Sequence, residues 1–204
     1  SVLLHPLSYK EPERLYVIWT KNQIRNKMQG AFAAPEFQEY AGRQRSFSQF
    51  AAYMHYPATL TGRGEPARVA TALVSAGYLE MLGISPFLGR GFAAEEYQVG
   101  RNQVALLTEQ YWRERFGADP GIVGKVLRLD NELHVVAGIL PRTKGENRQV
   151  DMYLPLALSP DAAASWDSRF LYVTGRLNDG VTSEQASAEL KSIGAAISAE
   201  HPET

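Results

Sequence analysis

The sequence predicts an α+β fold in two lobes, with one lobe inserted into the other. Three observations carry this. A β–helix–β order reads toward each end of the chain. The stretch from Val104 to Pro141 reads as a self-contained strand, capped helix, loop and hairpin. Breaks in regular patterning flank that stretch on both sides, at Pro86 to Glu96 and at Ser159 to Ser168.

The elements follow in chain order. Leu15 to Thr20 is β-branched and aromatic and reads as a strand. Lys21 to Ala33 is polar and is expected to be an exposed loop. A helix is expected from Pro35, which suits a first helical position. Phe37, Tyr40, Ala41, Phe47, Phe50 and Ala51 recur near helical spacing, with Gly42 a weak point. Tyr56 to Thr61 and Ala67 to Val74 read as strands joined across Gly62-Arg63-Gly64. Ala76 to Leu82 reads as a short helix closed by Gly83. Pro86, Gly89 and Gly91 then interrupt regular structure around Phe87, Leu88 and Phe92.

In the central stretch, Val104 to Thr108 is a strand and Thr108 is placed to cap a helix that Gly117 ends in the left-handed conformation. Tyr111, Trp112, Arg115 and Phe116 form a ridge on one side of that helix. It is read as the core of a small lobe. Two short β runs, Lys125 to Leu129 and Leu133 to Ile139, flank Asp130-Asn131-Glu132. A two-residue loop would pair Leu129 with Glu132 and Leu127 with His134. A three-residue loop pairs Leu129 with Leu133 and Leu127 with Val135, apolar against apolar, and is the expected register.

Asp151 to Leu156 reads as a short strand. Arg169 to Leu177 carries apolar groups on both faces, as a covered or central strand does. Asn178-Asp179-Gly180 is a turn. Thr182 and Gln185 form a capping box, and Ala186, Leu190, Ile193 and Ile197 give the last helix its buried stripe.

Composition bounds the chemistry. The 204 residues carry a net charge of −1, so no electrostatic footprint for nucleic acid is visible. With no cysteine, thiolate catalysis, disulfides and cysteine metal sites are excluded. His5, His55, His134 and His201 are scattered and fit no metal-ligand spacing, so each is read as a surface or packing residue. Gly62-Arg63-Gly64 and Gly89-Arg90-Gly91 lack the pattern of a phosphate loop or a dinucleotide fingerprint and read as turns. No serine sits in G-x-S-x-G. Glu95-Glu96 and Glu11/Glu13 read as solvated carboxylates. Arg14, Arg25, Arg43 and Arg45 form at most a small basic patch with acidic residues interspersed. No catalytic, cofactor-binding or metal-binding residue is assigned, and no cofactor is expected. No apolar run reaches the roughly 20 residues that span a bilayer. Neither end carries a targeting signal, and both ends are read as cuts within a longer chain.

A resemblance carries the reading further. Glu65-Pro66-Ala67-Arg68-Val69, Leu73-Val74-Ser75, Tyr78 to Gly83, Pro86, Leu88-Gly89-Arg90 and Phe92 follow one another in an ordered series. Val104 to Thr108, Tyr111-Trp112-Arg113, Phe116-Gly117, Asp119 to Gly124, Leu129-Asp130 and Val135 to Pro141 continue it. Arg169-Phe170-Leu171, Arg176-Leu177, Gly180-Val181-Thr182 and Ala186 close it. This order resembles the MacB-like periplasmic core domain of ABC-transporter permeases of the FtsX/MacB type. Asn131 stands where that family commonly has Gly, and Lys21 to Ala33 matches no part of the pattern.

The resemblance implies a porter-like βαβ sandwich built from both chain ends, over residues 8–84 and 165–204, with a smaller mixed α/β lobe inserted over 85–164. It implies a non-catalytic module outside the cytoplasmic membrane, on the periplasmic side of a bacterial inner membrane, anchored by flanking membrane helices. The implied partners are the membrane helices of its own permease, a cytoplasmic ATPase reached through them, and an adaptor or substrate outside the membrane. The alternative from the residues alone is a small-molecule sensor or enzyme with a site in the cleft between lobes, recognisable by convergent polar groups.

Overall fold

The computed structural model describes residues 2–6, 12–22, 27–62, 64–142 and 150–202. The fold is α+β. In chain order the strands and helices are β1 (Val2–Pro6), β2 (Leu15–Asn22), β3 (Lys27–Gly30), β4 (Phe32–Ala33), α1 (Ala34–Arg43), β5 (Phe47–Thr61), β6 (Ala67–Val74), α2 (Tyr78–Met81) and β7 (Leu88–Gly89). They continue with β8 (Val104–Thr108), α3 (Glu109–Phe116), β9 (Val126–Leu129), β10 (Glu132–Leu140), β11 (Met152–Pro155), α4 (Pro160–Ala164), β12 (Arg169–Leu177) and α5 (Ser183–Glu200). No described helix is long and apolar enough to cross a membrane.

The chain divides into two compact units, residues 1–52 with 158–204, and residues 53–157. β5 contributes to both, because its residues 47–52 belong to the first unit and 53–61 to the second. The lobe borders expected above, 84/85 and 164/165, differ from these. The physical reason is strand pairing: β6 pairs with β11 and the far part of β5 with β9, which draws residues 53–74 into the second unit. Within that unit Gly89 adopts φ +77 and pairs with Gly138, so the glycines around Leu88 seat β7 against β10. A side chain on Gly89 would run into the Ala137 carbonyl, and a Cβ on Gly138 would lie 2.7 Å from the carbonyl oxygens of Leu88 and Arg90.

In the first unit the strand order is β1-β2-β12-β5, with β3 beside β2 and β4 beside β12. β1 and β2 are antiparallel, and Val173 and Gly175 of β12 lie opposite Ile18 and Tyr16 of β2. β12 is thus a central strand, as its two apolar faces require. The 21–33 stretch is not all loop. Beyond residues 23–26, which lie outside the described residues, β3 pairs with β2 and β4 with β12, and Phe32 is fully buried.

α1 ends at Arg43 rather than running on to Ala51. Gln44 donates its amide to the Tyr40 carbonyl, and its side-chain oxygen accepts from Phe47 N at 2.9 Å, which turns the chain out of the helix. Glu189 of α5 accepts from the amides of Arg45 and Ser46, both at 2.9 Å. Phe47 and Phe50 then lie on β5, where Phe50 stacks on Phe37 at 5.9 Å. Their helical spacing reflected one aromatic cluster shared by a helix and a strand.

α5 is capped by Thr182, whose hydroxyl accepts from Gln185 N while Gln185 accepts from Thr182 N. Ala186, Leu190, Ile193 and Ile197 are buried. Each of the three larger side chains contributes about 1.5–3 kcal/mol by leaving water. α1 packs against α5, and Arg43 bridges Glu39 and Glu200, both at 2.6 Å.

In the second unit the strands close on themselves. β5 pairs antiparallel with β6, and β6 parallel with β11. β11 pairs antiparallel with β8, and β8 parallel with β10. β9 then joins β10 on one side and β5 on the other, with Leu129 opposite Leu60. The ring β5-β6-β11-β8-β10-β9 is a small barrel, and β7 adds to β10 beyond the reach of β9. Ala58, Leu60, Val69, Ala105, Leu107, Leu127, Leu129, Val136, Met152 and Leu154 fill one hydrophobic cluster with Tyr111, Trp112 and Ile122. A six-stranded ring has an interior only wide enough for side chains, which is what this cluster supplies.

Candidate functional site

The hairpin β9–β10 decides what faces the barrel interior. Asp130 and Asn131 have φ +47 and +70, the signature of a two-residue type I′ turn. Glu132 therefore lies opposite Leu129, and His134 opposite Leu127. This is the two-residue register, not the expected three-residue one. The turn geometry outweighs the gain from pairing apolar residues, because I′ twist matches strand twist and both turn residues tolerate positive φ. Leu127, Leu129 and His134 consequently point inward, while Val126, Leu133 and Val135 face outward at 48%, 54% and 39% exposure.

At one end of the barrel this register frames a cavity of about 340 Å³. Its wall is apolar: Ala58 of β5, Leu73 of β6, Leu129 of β9 and Leu154 of β11. Its rim is polar: Tyr56, Asn102, Asp130 and Glu132, with Pro155 beside them. Tyr56 and Ala58 share one face of β5 by period-two alternation, and Glu132 and His134 share one face of β10. Asn102 comes just before β8 and α3 just after it, so the cavity opens at the barrel end away from Trp112.

Electrostatics mark the same end. Asp130 Oδ1 accepts from Thr59 N at 2.8 Å, and Asp130 N donates to the Thr59 carbonyl at 3.0 Å, which locks the turn onto β5. The Tyr56 hydroxyl donates to the Asp130 carboxylate, and that bond, reinforced by the charge, raises the phenol's pKa. His134 is only 5% exposed, and its Nδ1 is buried with no hydrogen-bond partner among the described residues. Burial lowers the pKa of His134, against the opposing pull of the Glu132 carbonyl and the Glu132 and Asp130 charges. A buried neutral imidazole thus lines the cavity under two carboxylates.

The other sequence candidates take structural places. Trp112 is buried and donates Nε1 to the Asp119 carbonyl at 2.8 Å, and Phe116 packs on the same cluster, so the aromatic ridge is core. Glu96 is buried, paired with Arg90 at 2.7 Å and bonded to Ala93 N, and Arg90 holds its carboxyl below the usual range. Arg14 bridges Asp179 and the Leu177 carbonyl, and Arg43 bridges α1 and α5. Arg25, Glu11 and Arg63 lie outside the described residues. His55 packs on Tyr53 and His201 on Trp166, so these rings serve separate contacts. Among the described residues, no group of three or more His, Asp or Glu side chains is arranged to hold a metal ion.

What sequence reading missed is the convergence at the barrel mouth. The signal was available in Asp130-Asn131, two residues that both accept positive φ and so favour a two-residue turn. The closure that brings Tyr56 to Asp130 is non-local and has no local signature.

This α+β architecture, with its closed second unit, is found together with a domain family match that covers nearly the whole chain, residues 5–193. The chain belongs to that family, the MacB-like periplasmic core domain. It is similar, at 28% identity over 120 residues, to the macrolide export ATP-binding/permease protein MacB of Burkholderia pseudomallei strains 1710b and K96243. That match covers 57% of this chain and 18% of the relative, so the chain spans less than a fifth of the length of these curated relatives. Among solved structures, the periplasmic region of MacB from Actinobacillus actinomycetemcomitans shares the fold with a TM-score of 0.69 and 16% identity, over 93% of this chain and 85% of that one. The extracellular domain of the noncanonic ABC-type transporter YknZ from Gram-positive bacteria gives 0.64 and 14%, over 99% of this chain and 95% of that one.

Proposed function

We propose that this chain is the extracytoplasmic domain of an ABC-transporter permease, and that it works as a non-catalytic interaction module. In this reading it stands on the periplasmic side of a bacterial inner membrane, tethered by membrane helices of its own permease. ATP is hydrolysed by a separate cytoplasmic domain or subunit. The membrane helices carry the resulting movement to this domain, which acts on a substrate or adaptor outside the membrane. Such coupling requires that the substrate or adaptor bind the two states of the domain with different affinity. The observation that carries the reading is the family match over residues 5–193. Macrolide export, named for the Burkholderia relatives, is the first substrate class to test.

The test has two arms. Calorimetry of the isolated chain with ATP is expected to give no binding heat, and a measurable affinity overturns the non-catalytic role. In the full-length permease reconstituted with its ATPase, replacing this domain by a short flexible linker is expected to preserve ATP hydrolysis and abolish ATP-dependent transport. Undiminished transport overturns the coupling role.

A further inference from the structure

We propose that the mouth of the barrel is a binding site for a small organic cation, an ammonium group carried on a compact apolar body. The proposal stands on the cavity and does not rest on the coupling role. The volume of about 340 Å³ lies at the small end of the range that ligand pockets occupy. Barrel mouths are a recurrent place for such pockets, because strands converge there while the interior below is filled.

The lining selects the ligand's charge. Asp130 and Glu132 bring two carboxylates to the rim, and no Lys or Arg lines the cavity. Asp130 is held in place by Thr59 N and the Tyr56 hydroxyl, so one carboxylate is oriented before any ligand arrives. An ionised carboxylate has about four acceptor positions, which those two donors leave partly open. Tyr56, 43% exposed at the rim, offers a ring face that a cation can approach. A carboxylate or phosphate ligand would meet like charge here.

His134 is an independent pointer to a ligand. It is 95% removed from solvent (5% exposed), it lines the cavity, and its Nδ1 lacks a hydrogen-bond partner among the described residues. Buried polar atoms are rarely left unpaired, and a neutral imidazole can present Nδ1 as an acceptor. Nδ1 is closed to solvent here, so an N–H donor of the ligand would complete it once the ring turns that atom toward the cavity. Below the rim, Ala58, Leu73, Leu129 and Leu154 offer an apolar wall that suits a hydrocarbon body rather than a hydrated inorganic ion.

The test is a titration of the isotopically labelled chain with cyclohexylmethylamine, followed by amide NMR. Cyclohexylmethanol and cyclohexanecarboxylate serve as neutral and anionic analogues. The expected result is a saturable shift at Tyr56, Asp130, Glu132 and His134 with the amine, a much weaker one with the alcohol and none with the carboxylate. Glu132→Gln alters an exposed side chain, and Asp130→Asn keeps an oxygen for Thr59 N, so both variants are expected to fold, which the same spectra verify. Each is expected to weaken the amine about tenfold, the loss of one charge-assisted hydrogen bond. Equal responses to amine and alcohol, shifts that do not saturate or lie away from the mouth, or unchanged affinity in both folded variants would overturn the proposal.

Discussion

His134 shows how one side chain can set a pH dependence. In the unfolded chain its pKa is near 6.5, and burial lowers it in the fold. Below about pH 6.5 the unfolded state therefore binds a proton that the folded state refuses, and stability falls as pH falls. The opposing carboxylates of Glu132 and Asp130 reduce this effect without reversing it. His134→Leu removes the buried imidazole, whose Nδ1 is unpaired, and keeps an apolar side chain against Leu127. The stability of this variant relative to the parent is expected to rise steadily as urea unfolding is repeated from pH 7.5 down to pH 5. A difference that is constant across that range would show that His134 takes up protons equally in both states, with no pKa shift on folding. The sequence offered this histidine as a surface or packing residue, and packing is half of the answer. It is buried among Leu127 and Leu129, yet it is the polar atom there that is left unpaired.

Helix ends and turns were legible where the chemistry is local. Thr182 and Gln185 cap α5 as the S/T-x-x-E/Q spacing requires. Thr182→Ala is expected to cost about 1 kcal/mol in chemical denaturation, and Thr182→Ser much less. Equal losses from both would shift the effect from the hydroxyl to the methyl group. Thr108 and Gly117 bound α3 as read, with Gly117 at φ +60. The failures occur where a local pattern meets a non-local partner. Phe47 and Phe50 have helical spacing from Phe37, but β12 claims their segment as a strand. The β9–β10 register failed because apolar matching was weighed above turn stereochemistry. Leu133 and Val135 then occupy the outer face, where burial contributes little.

At the scale of the whole molecule, the family resemblance told more than the periodicities did. It supplied the ordered series of short motifs that the match over residues 5–193 now spans. It did not contain the closure of the second unit, because pairing between Leu60 and Leu129 depends on strands far apart in sequence. That closure makes the unit a candidate for independent folding, with its own core. Residues 53–157 expressed alone are expected to unfold in one cooperative step. The fragment retains one tryptophan, Trp112, which is 7% exposed and gives the readout. Emission at the wavelength of a solvated indole, without a transition in denaturant, would show that the unit depends on the rest of the chain.

The ring also acts on errors. In an open sheet an edge strand can slip by two residues and lose little beyond its frayed end. β9 has a neighbour on each side, β10 and β5. A shift of one residue would turn Leu127 and Leu129 out of the core and break both ladders together. A shift of two would strand Asp130 from Thr59. The closed circuit thus proofreads its own alignment: only one register lets the last strand meet the first.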